Sequence, residues 1–312
     1  MIEASIDIGT ITMLLLVAET EEAGGDPLRK RRITRTLEYA IEYPRLGEGV
    51  HENRRFSEAA MTRAMAVFKK YRARCDDLGA TRIRALATSA SRDSANSREF
   101  YESVRAETGI EVSIIGGDTE ARLSFLGGLL PSQDPAAHAL MDIGGGSTEF
   151  VCFDPKSGDI AGQSLDIGSI RASEIYLKGD PYTVQSIGAL ENGLDEHWAR
   201  IRPELAAQLR VKNWVAVAGT PTVLAAMAMG ISSFTSEKID GFRLSRRIAN
   251  ELHISLATKT NEERKKIPLV GVQRADVIVA GTGILVTAME FFGKNDVIVS
   301  TRGLRHGVLE AL

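Results

Sequence analysis

The sequence predicts an α/β fold made of two similar units, each opening with a β-hairpin, with a cleft between them. Three observations point there. An apolar–Asp–Ile–Gly segment occurs twice, as Ile6-Asp7-Ile8-Gly9 and Met141-Asp142-Ile143-Gly144, each time between two short apolar runs. After each hairpin comes a third strand, and then helical patterns alternate with strands. The chain has 312 residues, more than one core comfortably holds. A repeat of this kind is a statement about fold before it is one about function. The boundary is expected near residue 124, giving units 1–124 and 125–302, with a closing helix 303–312 packing back on the first. Clefts between domains are where small-molecule sites tend to lie.

In the first half, residues 2–8 and 13–18 read as hairpin strands turned by Gly9-Thr10, and both are apolar enough to be central. Residues 21–32 are polar, with Gly24, Gly25 and Pro27, and read as a loop. A longer strand spans 33–43. Ser57 is placed to N-cap a helix carrying Ala60, Ala64, Val67, Phe68 and Tyr71 at helical spacing, stopped at Gly79. A strand at 83–87, a polar turn at 88–93, a helix at 97–108 stopped by Gly109, a strand at 112–115 and a helix at 118–129 complete the half. The second half opens with strands at 139–141 and 150–153 around the glycines, then a hairpin loop at 154–159 and a strand at 160–167. Helices are predicted at 169–177 and 183–207, and a strand at 214–218 ends at Gly219-Thr220-Pro221. Further helices are predicted at 222–229, 245–258, 261–266 and 274–292, and a last strand at 297–299.

Hydrophobic residues at 44% and charged residues at 25% are globular values. The net charge of −3 comes from interspersed acids and bases. That argues against a nucleic-acid protein held by bulk electrostatics, yet allows a polyanion gripped by a local basic cleft. Cys75 and Cys152 form no metal or disulfide spacing; both read as small buried hydrophobes in a reducing cytoplasm. The start, Met1-Ile2-Glu3-Ala4-Ser5, carries no signal-peptide pattern, and no apolar run reaches the length of a membrane span. There is no GxxxxGK[ST], no HExxH and no Cys/His cluster.

The chemistry concentrates in Asp142-Ile143-Gly144-Gly145-Gly146-Ser147-Thr148-Glu149. Glycines let backbone amides approach a ligand without a Cβ in the way, and successive amides form a concave anion site. A carboxylate beside an anion site makes sense if a cation bridges the two, and Mg²⁺ is usually held by one or two carboxylates plus phosphate oxygens. The octapeptide therefore reads as a metal-assisted phosphate site, with an ordinary glycine-rich turn as the plain alternative.

The paired Asp-Ile-Gly turns resemble the phosphate loops of the actin, sugar kinase and Hsp70 ATPase superfamily. One branch matches in several segments along the whole chain, the exopolyphosphatase and guanosine pentaphosphate phosphohydrolase (Ppx/GppA) family. The segments are Asp7-Ile8-Gly9-Thr10, Ala87 to Asn96 (ATSASRDSAN), Ile115 to Leu123 (IGGDTEARL), Asp142 to Glu149, Gly219-Thr220, Arg274 to Gly281 (RADVIVAG) and Gly303 to Leu309 (GLRHGVL). The resemblance implies two ribonuclease-H-like, actin-like ATPase domains. It also implies removal of terminal phosphate from inorganic polyphosphate, or of the 5′ γ-phosphate from pppGpp, with Mg²⁺ or another divalent cation, in a homodimer. Long members carry additional C-terminal helical domains; this chain resembles the short two-domain form. The first loop departs from the family's usual Asp-x-Gly-Ser-Asn-Ser. It keeps hydroxyls as Thr10 and Thr12 but has Ile11 where an amide is usual.

Hydrolysing a phosphoanhydride needs a positioned water, charge neutralisation on the phosphoryl oxygens and an in-line leaving group. Glu120, in the first turn of a helix after Gly116-Gly117, matches the family's general base; the alternative is a favourable helix N-terminal acid. Asp142 and Glu149 are the metal candidates, with Asp7 as the first-loop counterpart. Thr10, Thr12, Gly144, Gly145, Gly146 and Ser147 would supply hydroxyls and amides to phosphate, and Gly219 and Thr220 belong to the same group. Arg92 would bind phosphate oxygens bidentately. Arg45, Arg171, Arg302 and Arg305 are candidates to extend a basic cleft. The run Arg29-Lys30-Arg31-Arg32 reads as a solvated turn, with a distal polyphosphate contact as the alternative. Readings kept alongside are a pppGpp phosphohydrolase, a non-catalytic polyphosphate or alarmone sensor, and a sugar or acetate kinase.

Overall fold

The computed structural model describes residues 1–26 and 28–311. Pro27, in the predicted 21–32 loop, and Leu312, the end of the predicted closing helix, lie outside the described residues. The chain forms two compact units, Met1–Gly127 with Gly303–Leu312, and Gly128–Arg302.

The first unit holds β1 (Ile2–Ile8), β2 (Met13–Glu22), β3 (Arg31–Glu42), β4 (Arg82–Ala87) and β5 (Val112–Ile114) in the order β3-β2-β1-β4-β5. The β1–β2 and β2–β3 pairs are antiparallel; β1–β4 and β4–β5 are parallel. Alternation along β1 divides two chemistries. Ala4, Ile6 and Ile8 enter the main core with Phe68 and Tyr71 of the helix Glu58–Asp77. Glu3, Ser5 and Asp7 take the other face, where the Ser5 hydroxyl donates to the Arg305 carbonyl at 2.7 Å. That carbonyl belongs to the closing helix Leu304–Ala311, which crosses the helix Gly117–Gly128 at glycines. A Cβ on Gly127 would lie 2.1 Å from the Gly307 nitrogen, and one on Gly307 would lie 1.9 Å from the Leu123 carbonyl oxygen, so only glycine allows this approach.

The second unit holds β6 (His138–Ile143), β7 (Thr148–Asp154), β8 (Asp159–Leu165), β9 (Asn213–Val217), β10 (Arg243–Ser245) and β11 (Asp296–Val299), ordered β10-β11-β9-β6-β7-β8. Read from β8, the run β8-β7-β6-β9-β11 repeats the first unit's order with the same directions, and β10 adds an antiparallel edge to β11. Two sheets of this order, each opened by a three-stranded meander, are the ribonuclease-H-like pair that the resemblance implies. Phe150, Trp198 and Trp214 sit at the centre of the second core, their rings 5.4–5.7 Å from Phe150.

Ser57 caps its helix through the Ala60 amide, and Gly79 and Gly109 follow helix ends with positive φ, as the sequence predicts. Other elements differ. Residues Ser89–Asp93 form a short helix rather than a turn. The predicted helix 183–207 is two, Val184–Trp198 and Pro203–Gln208, because a proline starts a helix far more easily than it continues one. The predicted helix 274–292 is also two, Gly271–Arg274 and Ile278–Phe291. Between them the Ala275 carbonyl accepts from Arg264 Nε at 2.7 Å, and the Asp276 carbonyl accepts from the Ser173 and Tyr182 hydroxyls at 2.8 and 3.2 Å, which ties that backbone to side chains. The helix expected from 222 begins at Gly219. Among the described residues, no helix is long and apolar enough to cross a membrane.

Candidate active site

The two Asp-Ile-Gly turns have one construction. Gly9 N–H donates to the Thr12 carbonyl at 2.9 Å, and Gly144 N–H to the Ser147 carbonyl at 3.0 Å, closing four-residue turns of equal length. None of Gly9, Gly144, Gly145 and Gly146 has positive φ. The close approach falls at Gly144 and at Gly168, which presses on the second turn. A Cβ on Gly168 would lie 2.5 Å from the Gly145 carbonyl carbon, and a Cβ on Gly144 would lie 3.0 Å from the Ser147 carbonyl oxygen. Behind the second turn, the Gly144 carbonyl accepts from Ser169 N–H at 2.9 Å and the Gly145 carbonyl from Ile170 N–H at 2.8 Å. In a trans peptide the next N–H points opposite to the carbonyl, so the Gly145 and Gly146 amides face away from that helix. Ser147 is buried.

The register across β6 and β7 sets Asp142 directly opposite Glu149. Cross-strand partners have Cβ atoms about 4.5–5.5 Å apart, and like charges in that relation destabilise a sheet. Glu149 is 1% exposed, and its Oε1 accepts from Ser164 Oγ at 2.6 Å. Two carboxylates in register, one of them buried, form a site whose charge a cation would balance. The donors there are carboxylate and hydroxyl oxygens, which suit a hard cation such as Mg²⁺ rather than zinc. Among the described residues no group of three or more His, Cys, Asp or Glu side chains converges as a metal cage. A cation would therefore be held by this pair together with oxygens of the bound phosphate.

The first turn is balanced differently. Asp7 stands opposite Leu14 on β2 and beside Leu86 on β4. Its charge acts on Arg305, whose guanidinium lies 3.9 Å from the Tyr39 ring centroid. Burial pushes the Arg305 pKa down to about 9, and the Asp7 carboxylate opposes that fall. Arg305 is thus buried, which corrects its expected place in an open basic cleft. The Thr10 carbonyl accepts from Gly47 N–H, and the Ile11 carbonyl from Arg45 N–H. Thr10 is buried and Thr12 half-buried. The Ile11 side chain is also buried, which suits an apolar residue where an amide was expected.

Glu120 lies in the first turn of its helix, and its Oε2 accepts from Arg92 Nη1 at 2.7 Å. The same nitrogen donates to the Ile115 carbonyl at 3.0 Å. The base candidate and the phosphate-binding arginine are therefore a bonded pair. In the same 87–96 segment Asn96 exchanges hydrogen bonds with the Phe56 backbone at 2.8 and 3.1 Å, and Ser94 supports it.

Gly219 and Thr220 open the helix Gly219–Ala228, entered through Ala218 at φ 75°. The Thr220 hydroxyl packs on Gly281, where a Cβ would lie 2.3 Å away. Over Gly219 lies the Arg274 guanidinium, 1.7 Å from where a Cβ would be. The sequence reading gave Arg274 no role; the glycine at 219 and arginine at 274 were visible, but their contact was not. A guanidinium beside a helix N-terminus concentrates positive charge that favours an anion. The basic run 29–32 is not a solvated turn throughout. Arg29 reaches Asp26, Glu310 and the Leu126 carbonyl. Arg31 meets the buried Glu3 at 2.9 Å, beside Arg84 at 3.1 Å. Arg171 follows the second turn, with its N–H on the Gly145 carbonyl; Arg45 lies 4.0 Å from Glu48, and Arg302 is half-buried.

Residues 29–312 match the model of the Ppx/GppA phosphatase family. The chain is 33% identical to a bifunctional 3-dehydroquinate synthase/phosphatase of Fusobacterium nucleatum, a match covering all of this chain and 46% of that protein. It thus spans about half the length of that relative. It is 32% identical to exopolyphosphatase 2 of Mycobacterium tuberculosis over 89% of this chain and 86% of the relative. The solved structure of an exopolyphosphatase from Cytophaga hutchinsonii superposes with a TM-score of 0.86 at 28% identity, covering 99% of this chain and 96% of that one. With the duplicated fold and paired turns described above, these matches establish that the chain belongs to the Ppx/GppA phosphatase family.

Proposed function

We propose that this chain is an exopolyphosphatase that hydrolyses the terminal phosphate of inorganic polyphosphate, with Glu120 as the base. The observation that carries this reading is the Asp142–Glu149 pair, in register beside a turn whose amides face away from the supporting helix. Such a pair suits a divalent cation and a phosphate together. Relatives named exopolyphosphatase, in Mycobacterium tuberculosis and Cytophaga hutchinsonii, support the substrate class.

In this reading Asp142 and Glu149 hold Mg²⁺ or another divalent cation, with Asp7 as a further candidate. When bound, the cation neutralises charge on the phosphoryl oxygens. The amides of Gly145 and Gly146 and the Ser147 hydroxyl hold the terminal phosphate, with Thr10, Thr12, Gly219, Thr220 and Arg274 as further contacts. Arg92 orients Glu120 and offers its planar fork to phosphate oxygen. Glu120 takes a proton from water as the oxygen attacks phosphorus in line, and the shortened chain leaves. A homodimer in a reducing cytoplasm belongs to the same proposal; the two free, buried cysteines agree with that compartment.

The test is orthophosphate release by the purified protein with Mg²⁺ and with chelator, on long polyphosphate, pppGpp and ATP. Release from polyphosphate as the preferred substrate, lost in chelator, is the expected result. Faster release from pppGpp would replace this reading with a pentaphosphate phosphohydrolase. Tight polyphosphate binding with no release from any substrate would leave the sensor reading.

A further inference from the structure

Arg264 lies in the second unit, in the short helix Asn261–Lys265, and is only 1% exposed, so substrate does not reach it. Its guanidinium is occupied by the protein itself. Nε donates to the Ala275 carbonyl at 2.7 Å, and Nη1 donates to the Leu256 and Lys259 carbonyls at 3.3 and 2.6 Å. Nη2 stands 3.7 Å from the Asp180 carboxylate, and the guanidinium carbon lies 4.5 Å from the Tyr182 ring centroid. Leu256 and Lys259 are at the end of the helix Arg246–Ala257, so two of the three bonds are ordinary capping. The third is different. Ala275 directly follows Arg274, whose guanidinium covers Gly219.

The backbone that carries Arg274 has little hold of its own. Gly271–Arg274 is a single turn of four residues with no side-chain cap, and Val272 and Gln273 are exposed. Beyond it three consecutive carbonyls are fixed. That of Arg274 accepts from Val277 N–H at 3.0 Å, that of Ala275 from Arg264, and that of Asp276 from the Ser173 and Tyr182 hydroxyls. Tyr182 serves twice, with its ring against Arg264 and its hydroxyl on Asp276.

We infer that Arg264 is a positioning residue for Arg274: by fixing the Ala275 carbonyl it holds the Arg274 guanidinium over Gly219, where the helix Gly219–Ala228 begins. An arginine held in place before an anion arrives has less side-chain freedom to lose on binding it. The effect therefore falls on substrate affinity rather than on the chemical step. That Arg274 meets phosphate rests on the exopolyphosphatase reading above; that Arg264 holds Arg274 does not.

The experiment is a double-mutant cycle of Arg264→Lys and Arg274→Gln, read as kcat and KM on long polyphosphate with saturating Mg²⁺, together with crystal structures of the wild-type and Arg264→Lys proteins. The donors of a lysine sit on one nitrogen, so it cannot serve carbonyls that two guanidinium nitrogens now reach. Arg264→Lys is expected to raise KM about tenfold, the size of one lost charge-assisted contact, with a much smaller fall in kcat. In its crystal structure Arg274 should have left Gly219. In the Arg274→Gln background the second substitution should raise KM no further. A merely structural role would lower the melting temperature and leave KM alone. Wild-type KM in folded Arg264→Lys protein, or KM increases that multiply across the cycle, would overturn the inference. Should Arg264→Lys fail to fold, Tyr182→Leu takes its place with the same expected and overturning results, since it removes both the ring against Arg264 and the hydroxyl on Asp276. If the wild-type chain releases no phosphate, the hydrolase reading falls and the crystal structures decide. Arg274 displaced from Gly219 in the variant alone upholds the couple, and Arg274 still seated there refutes it.

Discussion

The turns at Asp7 and Asp142 share a length, a closing hydrogen bond and a glycine pressed against them from the segment after the third strand. That glycine is Gly47 in one unit and Gly168 in the other; a Cβ on Gly47 would lie 2.2 Å from Thr10 Cγ2. Their electrostatics diverge. Across the hairpin Asp7 faces Leu14, while Asp142 faces Glu149. The Asp7 charge acts on the buried Arg305, while Asp142 has a second carboxylate directly across the hairpin. The same backbone device thus sits in two different charge settings. In the proposed reading a divalent cation held by Asp142 and Glu149 would offset the like charges that strand register sets opposite each other.

Substitutions that separate the two units test this contrast. The largest effect is expected at Glu120. Glu120→Gln should lower kcat by about 10²- to 10⁴-fold. Equilibrium binding of polyphosphate should be nearly unchanged; a variant with normal turnover would remove Glu120 from the base role. Next is the buried Glu3 of the first unit, which Arg31, Arg84 and the Thr20 hydroxyl satisfy from inside the protein. Glu3→Gln leaves those arginines uncompensated and should cost about 3–5 kcal/mol in urea unfolding. Glu149→Gln, measured in chelator, should cost less than about 1 kcal/mol, since it relieves a like-charge pair. The contrast fails if both substitutions cost the same.

Smaller effects concern the cation. Asp142→Asn and Glu149→Gln should each raise the Mg²⁺ concentration for half-maximal activity about tenfold or more, equivalent to about 1.4 kcal/mol of binding. Both should also shrink the rise in melting temperature on adding Mg²⁺. The smallest effect lies in the second unit's core. His253 is 3% exposed, its Nδ1 lies 2.7 Å from Thr282 Oγ1, and burial lowers its pKa to about 4. Between that value and the ordinary 6.5, the unfolded chain binds a proton that the fold excludes, so stability falls as pH falls through this window. The loss should be about 1 kcal/mol from pH 6.5 to 5.5, and His253→Gln should flatten that slope in pH-dependent unfolding.

Much of this was legible in the chain. The repeated Asp-Ile-Gly turns, the Ser57 cap and the helix stops at Gly79 and Gly109 depend on neighbours within a few residues, and their residue types announce them. The glycines at 144–146 also marked a close-packed turn, although positive φ, the usual reason for glycine, is not the one at work there. Less legible was the basic run at 29–32. Four consecutive cations look solvated, and only the fold brings Glu3 and Glu310 to Arg31 and Arg29. The break near Ala275 was likewise hidden, because it depends on Arg264, Ser173 and Tyr182 reaching the backbone from elsewhere.

By itself the sequence determined the family, the duplicated α/β plan and the two turns, because these follow from short-range sterics and from the alternation of apolar residues along a strand. Tertiary structure alone decided which charge each turn meets. Strand register put Glu149 opposite Asp142, and a closing helix some 300 residues along the chain from Ser5 brought Arg305 to Asp7's face of the sheet. Charge balance at a turn is a property of distance in space, and distance in space is what a linear sequence leaves unstated.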